Sequence, residues 1–225
     1  MSEDATTATP GTSATSGTAS GPGAPGTPPG APTAQLDGVN LLVVATGSIS
    51  VAFMPYWVNW LRIAEPGATT RIVLTPTARR FVSAEALSAL LGAPVEDDTW
   101  DGAPEDGSGA QHVDLARWAD AVLVHPCTFS YLARLATGSG DSPSMLALQS
   151  TAAPLVVCPA LPPGTADGWA YPRHVAALEE RGVTVVPPVV ARSVTTGEHD
   201  AASPAAFPAA VDAVAAALRG GRSRP

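Results

Sequence analysis

Lysine is absent from the 225-residue sequence, so all 12 of its basic residues are arginines. Charged residues make up only 14% of the chain, and the 20 acidic residues leave a formal net charge of −8. Nucleic acids and anionic membrane surfaces attract clusters of positive charge, which this acidic chain lacks. Neither is therefore predicted as a partner.

Cysteine is scarce as well, since only Cys127 and Cys158 occur, and both stand among apolar residues. Two such cysteines cannot form the disulfide framework of a small secreted domain, and they fit a reducing compartment. Long hydrophobic runs are also lacking, because runs such as Leu41–Ala45 are far shorter than the roughly 18–20 residues of a membrane span. The N-terminus has neither the basic nor the apolar region of a secretory signal. We therefore predict a cytoplasmic protein without a membrane segment.

The first 36 residues consist almost entirely of Ala, Gly, Pro, Ser and Thr and show no aliphatic periodicity. Such a composition cannot bury enough apolar surface to offset the conformational entropy that ordering would cost. The sequence predicts a disordered tail at 1–36, one domain at 37–219 and a flexible C-terminus at 220–225. A solubilising leader, a start-codon artefact and a functional tether are the competing interpretations of the tail.

Apolar runs alternate with helical patterns throughout the predicted domain. The first run, Val39–Ala45, lacks regular polar alternation, as is typical of a parallel strand covered on both faces. The alternation predicts right-handed βαβ units, hence a single-domain α/β fold with an open parallel sheet and helices on both faces. The predicted strands are 39–45, 70–74, 121–124, 154–158 and 183–186. The predicted helices are 50–64, 78–91, 113–118, 129–136, 144–151, 174–181 and 208–218.

Two loops that follow predicted strands have residues suited to bind an anion, at the sheet edge where such folds bind ligands. Loop 46–50 (Thr-Gly-Ser-Ile-Ser) combines a glycine turn, two hydroxyls and the free N–H groups of a helix start. After the second strand, Thr75 and Thr77 stand beside another predicted helix start. A single glycine excludes the dinucleotide fingerprint, and no Gly-Lys-Ser/Thr is present to make a P-loop. Helix capping by the same hydroxyls is the competing interpretation.

His112 begins a short predicted helix, whose positive end disfavours imidazolium and so favours a neutral ring able to accept a proton. A surface histidine at a helix start is the competing interpretation. The third predicted strand leads into residues 125–131 (His-Pro-Cys-Thr-Phe-Ser-Tyr), which again places polar groups at a strand end. We predict no metal site.

The segment 112–141 (HVDLARWADAVLVHPCTFSYLARLATGSGD) resembles the family of homo-oligomeric flavin-containing cysteine decarboxylases. That family has a histidine, a short helix ending in Ala-Asp, a strand, Pro-Ala-Ser/Thr-x-Asn-Thr, a helix and Gly-x-x-Asp. The opening Thr-Gly-Ser-Ile, a Thr-x-x-Ala-x-x-Phe segment at 75–81 and a late Pro-Ala-Met-Asn-like segment match in the same order. The resemblance covers about residues 40–188.

The resemblance implies a Rossmann-like fold, assembly into trimers or into dodecamers of trimers, and FMN bound at subunit interfaces. The first loop and Thr77 would hold the phosphate, Phe81 would flank the flavin, and residues 126–128 would line its ring. Cys127 is either a small apolar residue at the family's alanine position or a redox partner. The implied cofactor-binding residues are Gly47, Ser48, Ser50, Thr75, Thr77, Phe81, Pro126, Cys127 and Thr128.

The implied reaction is the oxidative decarboxylation of a cysteine by an FMN-dependent enzyme. The thiol is oxidised to a thioaldehyde with reduction of the flavin, and the thiocarbonyl accepts the electron pair left behind by CO2, giving an enethiol. His112 matches the family's active-site histidine and is the predicted base.

Two amides of the family are replaced in this sequence. Ser130 stands where the family has the asparagine that helps to handle the carboxylate, and Pro162 replaces the asparagine of Pro-Ala-Met-Asn. Ser130 is predicted as catalytic, and Tyr131, Pro162, Trp169 and Arg173 are predicted to bind substrate. The planar guanidinium of Arg173 suits a carboxylate. The competing interpretation of Arg173 is a solvated residue at a helix start. The competing interpretation of Trp169 is packing against a neighbouring subunit.

No cysteine follows Cys158, whereas the coenzyme A branch of the family carries a cysteine-bearing clamp in that region. The peptide-modifying branch fits better, which predicts a precursor peptide with a C-terminal cysteine as substrate and residues 162–171 as a flap over it. The enethiol would go on to form a thioether ring, as in lanthipeptides. A decarboxylase of small cysteine conjugates of the phosphopantothenoylcysteine type, a non-catalytic flavin-binding subunit and a relative of prenylated-flavin synthases are the alternatives.

Overall fold

The computed structural model describes residues 35–100, 110–194 and 196–221. Most of the predicted tail, and residues 222–225 of the predicted flexible C-terminus, lie outside this described part. Leu36, assigned to the tail by the sequence, is fully buried, and its N–H donates to a Glu65 carboxylate oxygen at 2.8 Å. The hydrophobic core therefore extends to Leu36, one residue before the predicted start of the domain.

A six-stranded sheet forms the centre of the described chain. Its strands are β1 (Asn40–Ala45), β2 (Thr69–Leu74), β3 (Glu96–Asp97), β4 (Ala121–Thr128), β5 (Leu155–Ala160) and β6 (Thr184–Val185). They lie in the order β3-β2-β1-β4-β5-β6, and every pairing is parallel, which confirms the predicted open parallel sheet. The chain order reverses between β1 and β4, so the carboxyl ends of these strands form a topological switch point.

Helices cover both faces of the sheet, as predicted. They are α1 (Met54–Ala64), α2 (Ala84–Leu91), α3 (Gln111–Trp118), α4 (Phe129–Ala136), α5 (Pro143–Ser150), α6 (Ala170–Glu180) and α7 (Phe207–Gly221). Leu41, Val43 and Ala45 of β1 pack on the face covered by α1, α2 and α7. Leu42 and Val44 pack on the other face, against α3, α4, α5 and α6. Successive side chains of a strand point to opposite faces of the sheet, and both faces are covered here, which explains why β1 is apolar on both of its faces.

The continuous helix predicted at 78–91 is wrong at its centre. A 3-10 turn covers Ala78–Arg80, and α2 begins only after Ser83, whose hydroxyl accepts a hydrogen bond from Ala86 N at 3.2 Å. Serine is a favoured N-cap because it satisfies a backbone N–H that helix geometry leaves unpaired. The helical spacing of apolar residues continues across this cap and so conceals it.

The strand predicted at 121–124 is too short, because β4 runs on to Thr128. Its register against β5 shifts between Val124 and Cys127, and the strand then pairs again at Thr128 and Ala160. The proline at position 126 made the continuation look like a loop in the sequence, since proline cannot donate to a regular ladder. The extension carries Thr128 to the same edge as the end of β5.

An antiparallel hairpin of β7 (Val189–Ala191) and β8 (Ala201–Ser203) is absent from the sequence-based prediction. Leu161, directly after β5, and Ala202 in β8 exchange two backbone hydrogen bonds of 2.8 and 3.2 Å, which attach the hairpin to the carboxyl edge of the sheet. Each hairpin strand has only 3 residues, too few to give a recognisable alternation. No helix in the described ranges has the length and apolar character needed to cross a membrane.

Candidate functional site

The loops after β1 and β2 touch at Gly47 and Thr77. A Cβ at position 47 would lie only 2.5 Å from Thr77 Cβ, so glycine is required for this approach of the two loops. Thr75 N donates to Ala45 O at 3.1 Å and ties the second loop to the end of β1. The structure thus brings together Gly47, Thr75 and Thr77, three of the residues predicted to bind a cofactor.

Thr46, which the prediction of site residues omitted, joins the ends of β1 and β4. Its buried hydroxyl donates to Pro126 O at 2.8 Å and accepts from Thr128 N at 2.8 Å. Its own N–H donates to Pro126 O at 3.1 Å. These bonds fix the two strand ends at the switch point. The sequence signal for this role was a threonine placed directly after a buried strand.

Some hydroxyls of these loops act as caps of short helical turns. Ser48 Oγ accepts from Ser50 N at 3.4 Å, and Thr75 Oγ1 accepts from Ala78 N at 3.3 Å. Thr77 occupies the N-cap position of the next turn without such a bond. The capping interpretation therefore holds for Ser48 and Thr75. A hydroxyl that accepts one N–H retains its own hydrogen for donation, so capping and anion binding are compatible.

A cavity of about 300 Å³, which we call the hydroxyl cavity, lies between the loops after β1, β2 and β4. Threonine, serine and tyrosine dominate its lining, together with one arginine and one aspartate. The lining residues are Thr46, Gly47, Thr75, Pro76, Thr77, Asp98, Thr128, Tyr131, Arg134 and Ser142. Such a lining offers many hydrogen-bond donors to a ligand.

One arginine of the hydroxyl cavity has a hydrogen-bond donor left for an anionic ligand. The buried Asp98 carboxylate is satisfied internally, because it accepts from Ser142 Oγ at 2.9 Å and from Ser144 N at 2.8 Å. Arg134 contacts both carboxylate oxygens of Asp141 at 2.9 Å and thereby lowers the pKa of that carboxyl. The Nε of Arg134 is nevertheless buried without a hydrogen-bond partner among the described residues. An unsatisfied guanidinium donor beside several hydroxyls suits a phosphate.

A second cavity of about 410 Å³ lies beside the first and shares Gly47 and Thr128 with it. We call it the hairpin cavity, because β8 and the loop between β7 and β8 form one of its walls. More than half of its lining residues are apolar. They are Gly47, Ser48, Ile49, Ser50, Thr128, Phe129, Ser130, Ala160, Leu161, Pro162, Pro163, Arg192, Ser193, Val194, Ala201, Ala202 and Ser203.

The hairpin cavity unites predicted and unpredicted residues. Ser48, Ser50, Ser130 and Pro162 were expected at a site and do line it. The wall formed by residues 192–194 and 201–203 was not expected, since the sequence predicts that the flap at 162–171 covers the substrate. Of that flap, only its first two residues reach the cavity. A run of valines before a polar, glycine-containing loop was the available signal for the hairpin.

Tyr131, predicted to bind substrate, lines the hydroxyl cavity and is not among the residues of the hairpin cavity. It is only 1% exposed, and its hydroxyl shares a 2.8 Å hydrogen bond with Ser144 Oγ. Burial raises the pKa of the phenol, so it remains neutral at physiological pH. Its ring lies 5.4 Å from the Arg134 guanidinium, which it helps to hold in place.

Pro126 and Cys127 lie behind the cavity linings. Cys127 is fully buried, and burial raises the pKa of its thiol far above the ordinary range. Burial likewise raises the pKa of Cys158, to about 12. Redox chemistry requires an accessible thiolate. The geometry therefore favours Cys127 as a small apolar residue over Cys127 as a redox partner.

Four further predicted site residues line neither cavity. Phe81 is 41% and Trp169 is 77% exposed, and the Arg173 guanidinium lies over the Trp169 ring at 5.3 Å. His112 contacts the edge of the Trp100 ring, with centroids 5.7 Å apart. Its Nδ1 is buried and has no hydrogen-bond partner in the part of the chain that the structure describes.

The Flavoprotein family model matches residues 30–219 of the chain. The cypemycin cysteine dehydrogenase (decarboxylating) of a Streptomyces species is 38% identical over 131 residues, which are 57% of this chain and 66% of that protein. The bifunctional coenzyme A biosynthesis protein CoaBC of Vibrio vulnificus (strain YJ016) is 34% identical over 124 residues, which are 55% of this chain and 30% of that protein. The chain thus spans less than two thirds of the length of these curated relatives.

Among solved structures, the FMN-dependent cysteine decarboxylase SpaF aligns with a TM-score of 0.68 at 27% identity, over 84% of this chain and 99% of that chain. The alignment extends over nearly all of SpaF and confirms the Rossmann-like flavoprotein fold that the resemblance implied.

Proposed function

The chain belongs to the flavoprotein family, and we propose that it is an FMN-dependent enzyme that decarboxylates a cysteine. In its finer form, the proposed reaction is the oxidative decarboxylation of the C-terminal cysteine of a ribosomally synthesised precursor peptide, with an enethiol as product. Similarity to the cypemycin enzyme and to SpaF supports this proposal. Closure of the enethiol into a thioether ring and a cytoplasmic location remain predictions.

The observation that carries the proposal is the pairing of two cavities at the switch point. The hydroxyl cavity offers donors for a phosphate, and the hairpin cavity offers a largely apolar chamber next to it. Gly47 and Thr128 line both, so a ligand with an anionic handle and a flat apolar body fits across them. FMN has this division into a phosphate and a tricyclic ring.

The chemical types of the residues present suit FMN. Gly47 and Thr77 of the hydroxyl cavity would hold the phosphate, with a further donor at the unsatisfied Nε of Arg134. Ser48 and Ser50 would contact it from the adjoining hairpin cavity. Thr75 would support this loop through its bond to the end of β1. Pro126 and Cys127 would back the flavin ring, and Thr128 would line it directly. Phe81 remains proposed as a flank of the ring, which its exposed position allows only at a subunit interface.

FMN, when bound, supplies the two-electron oxidation of the cysteine side chain to a thioaldehyde. The protein has to hold the peptide terminus in the hairpin cavity, exclude water and remove a proton. Ser130 is the proposed hydrogen-bond donor to the reacting cysteine, because it lines the cavity at the start of α4. Pro162, which lines the cavity, and the exposed Trp169 of the same flap are proposed contacts for the preceding residues of the peptide. The apolar lining would keep the reacting atoms away from bulk water.

His112 is the proposed base, and it would act in the site of a neighbouring subunit, since it lies outside the cavities of its own chain. It lies in the first turn of α3. A homotrimer, or a dodecamer of trimers, is proposed as the assembly. Ile49, which lines the hairpin cavity, and Phe53, at the end of the same 3-10 turn, are 51% and 64% exposed. This exposure supports burial of the region between subunits.

Visible absorption of the purified protein and mass spectrometry of treated peptides test the proposal together. We expect a yellow protein with bound FMN and a loss of about 46 Da from peptides ending in cysteine, since CO2 and two hydrogens leave. His112→Asn is expected to retain FMN and lose decarboxylation. A protein that stays colourless and cannot be loaded with FMN would contradict the proposal.

Similarity to CoaBC favours a second candidate, the decarboxylation of a small cysteine conjugate of the phosphopantothenoylcysteine type. Replacement of two family amides by Ser130 and Pro162 favours a third, a flavin-binding subunit without activity. Incubation with phosphopantothenoylcysteine beside the peptides separates the first two. Bound FMN that no cysteine substrate reduces under anaerobic conditions would identify the third.

A further inference from the structure

Arg192 is the only ionisable residue that lines the hairpin cavity among the residues the structure describes. It follows β7 directly, so the hairpin brings it to the cavity that also contains Ser130 and Pro162. These two positions are the ones at which the amides expected from the family resemblance are missing. Arg192 thus lines the same cavity as Ser130 and Pro162, the two positions at which the family has asparagine.

The hairpin loop holds Arg192 in a defined orientation. Its Nε donates to Gly197 O at 2.6 Å, across the turn of the loop. Ser193 N donates to Glu198 O at 2.7 Å, and Gly197 N donates to Ser193 O at 2.9 Å. Gly197 has a φ of +77°, which favours glycine at this turn. A side chain held at Nε loses less rotational freedom when its terminal amino groups bind a ligand.

Other arginines near this edge of the sheet are already paired with carboxylates. Arg134 pairs with Asp141, and Arg79 pairs with Asp97. Within the described ranges, no carboxylate forms an ion pair with Arg192. In a chain with a net charge of −8, an arginine that faces a cavity without a carboxylate partner is suited to an anionic ligand.

We infer that Arg192 binds the C-terminal carboxylate of the substrate. This inference rests on the proposed function, since it names the group that recognises the substrate in the same site. A guanidinium can bind both oxygens of a carboxylate with parallel hydrogen bonds, which Ser130 and Pro162 cannot do. Arg192 would thus take the recognition role that the resemblance suggested for Arg173.

The kinetic consequence of this ion pair follows from the direction of charge movement. The carboxylate is fully charged in the bound substrate and loses its charge as CO2 departs and electrons move toward sulfur. The pair is therefore at least as strong in the ground state as in the transition state of decarboxylation. Loss of Arg192 is expected to raise KM while leaving kcat nearly unchanged.

The binding test uses the FMN-loaded full chain, immobilised, and pools of N-acetylated pentapeptides ending in serine. Serine replaces the reactive cysteine, so that retention reports binding without turnover. One pool has a C-terminal carboxylate and the matched pool has a C-terminal amide. We expect the wild-type protein to retain the acid pool about tenfold more than the amide pool, and Arg192→Gln to remove this preference.

Two further variants sharpen the comparison. Arg192→Lys should keep part of the preference, because it keeps the charge but not the two-pronged geometry. Arg62→Gln removes an exposed arginine in the last turn of α1 and should retain the full preference. Equal retention of the two pools by the wild-type protein, including no retention of either, or an unchanged preference in Arg192→Gln, overturns the inference.

The failure of this inference is distinguishable from the failure of the proposed function. A loss of about 46 Da from a cysteine-ending acid pool tests the function directly. If that loss occurs but Arg192→Gln retains the acid preference, the function stands and the role of Arg192 falls. If the preference depends on Arg192 but no mass loss occurs, carboxylate recognition stands and decarboxylation falls.

Discussion

The hydroxyl cavity and the hairpin cavity lie side by side at the switch point, yet they are constructed differently. The hydroxyl cavity is formed by short loops that directly follow β1, β2 and β4, together with the buried residues beneath them. The hairpin cavity depends on distant residues of the hairpin, 192–194 and 201–203, and two hydrogen bonds between Leu161 and Ala202 attach this hairpin to the end of β5. The proposed phosphate site is thus built mainly from loops at strand ends, whereas the proposed substrate site also needs a wall from a distant part of the chain.

This comparison predicts that damage to the strand-end loops removes FMN first. Gly47→Val places a side chain where Thr77 already stands, and we expect the FMN dissociation constant to rise by about 100-fold or more. Titration followed by flavin fluorescence measures it. Gly220→Ala, on a helical glycine whose added Cβ would meet nothing within 4 Å, is the matched control. FMN affinity within about twofold of wild type in Gly47→Val would show that the contact of the two loops is not needed.

Thr46→Val is expected to destabilise the walls of both cavities, because Thr46 joins the ends of β1 and β4. The valine leaves Thr128 N without its partner in a partly buried place, at a cost of about 1–3 kcal/mol in the free energy of unfolding. Urea denaturation of the apoprotein measures the change. Thr137→Val, which removes an exposed hydroxyl bonded to Ala133 O, should stay within about 0.5 kcal/mol of wild type. Equal effects of the two variants would contradict the role of Thr46.

Ala202→Pro is expected to impair peptide binding in the hairpin cavity while leaving FMN binding intact. Proline removes the N–H that donates to Leu161 O and so loosens the hairpin from β5. Retention of the acid peptide pool should fall about tenfold, while the FMN dissociation constant stays within about twofold of wild type. Parallel loss of FMN would show that the hairpin also supports the hydroxyl cavity.

Acidification is expected to have the smallest effect on the free energy of unfolding. It should act at His125 of β4, which contacts Ala205 in the segment after the hairpin. His125 is buried, its Nε2 lies 2.8 Å from Ala205 O, and burial lowers its pKa. The neutral ring therefore stabilises the fold fully above the unfolded-state pKa of about 6.5, and this contribution is lost as pH falls below that value toward the folded-state pKa. The slope for one proton is at most about 1.4 kcal/mol per pH unit.

Urea denaturation between about pH 7 and pH 5 measures this slope. His199→Gln, on an exposed histidine of the hairpin loop, should leave it unchanged. His125→Leu should flatten it, whatever its effect on absolute stability. A wild-type protein whose stability does not decline over this range would contradict the burial of a neutral His125.

Predictability from sequence differed between elements for physical reasons. The buried strands and most helices were recognised because their apolar spacing reflects one or two covered faces. The break at Ser83 was missed because a cap interrupts a helix without interrupting its apolar pattern. Thr46 was missed because its bonds reach a residue 80 positions away, a pairing that no local pattern reveals.

Local patterns were enough to predict the parallel sheet, the order of the strand-end motifs and the glycine at position 47, since each depends on residues close together in the chain. The sharing of cavities, the burial of Tyr131 and Cys127, and the presence of Arg192 in the same cavity as Ser130 became visible only in the folded chain. The reason is that strand-end loops and the hairpin meet through backbone hydrogen bonds between distant segments. Such bonds do not depend on side-chain identity and therefore leave little trace in the sequence.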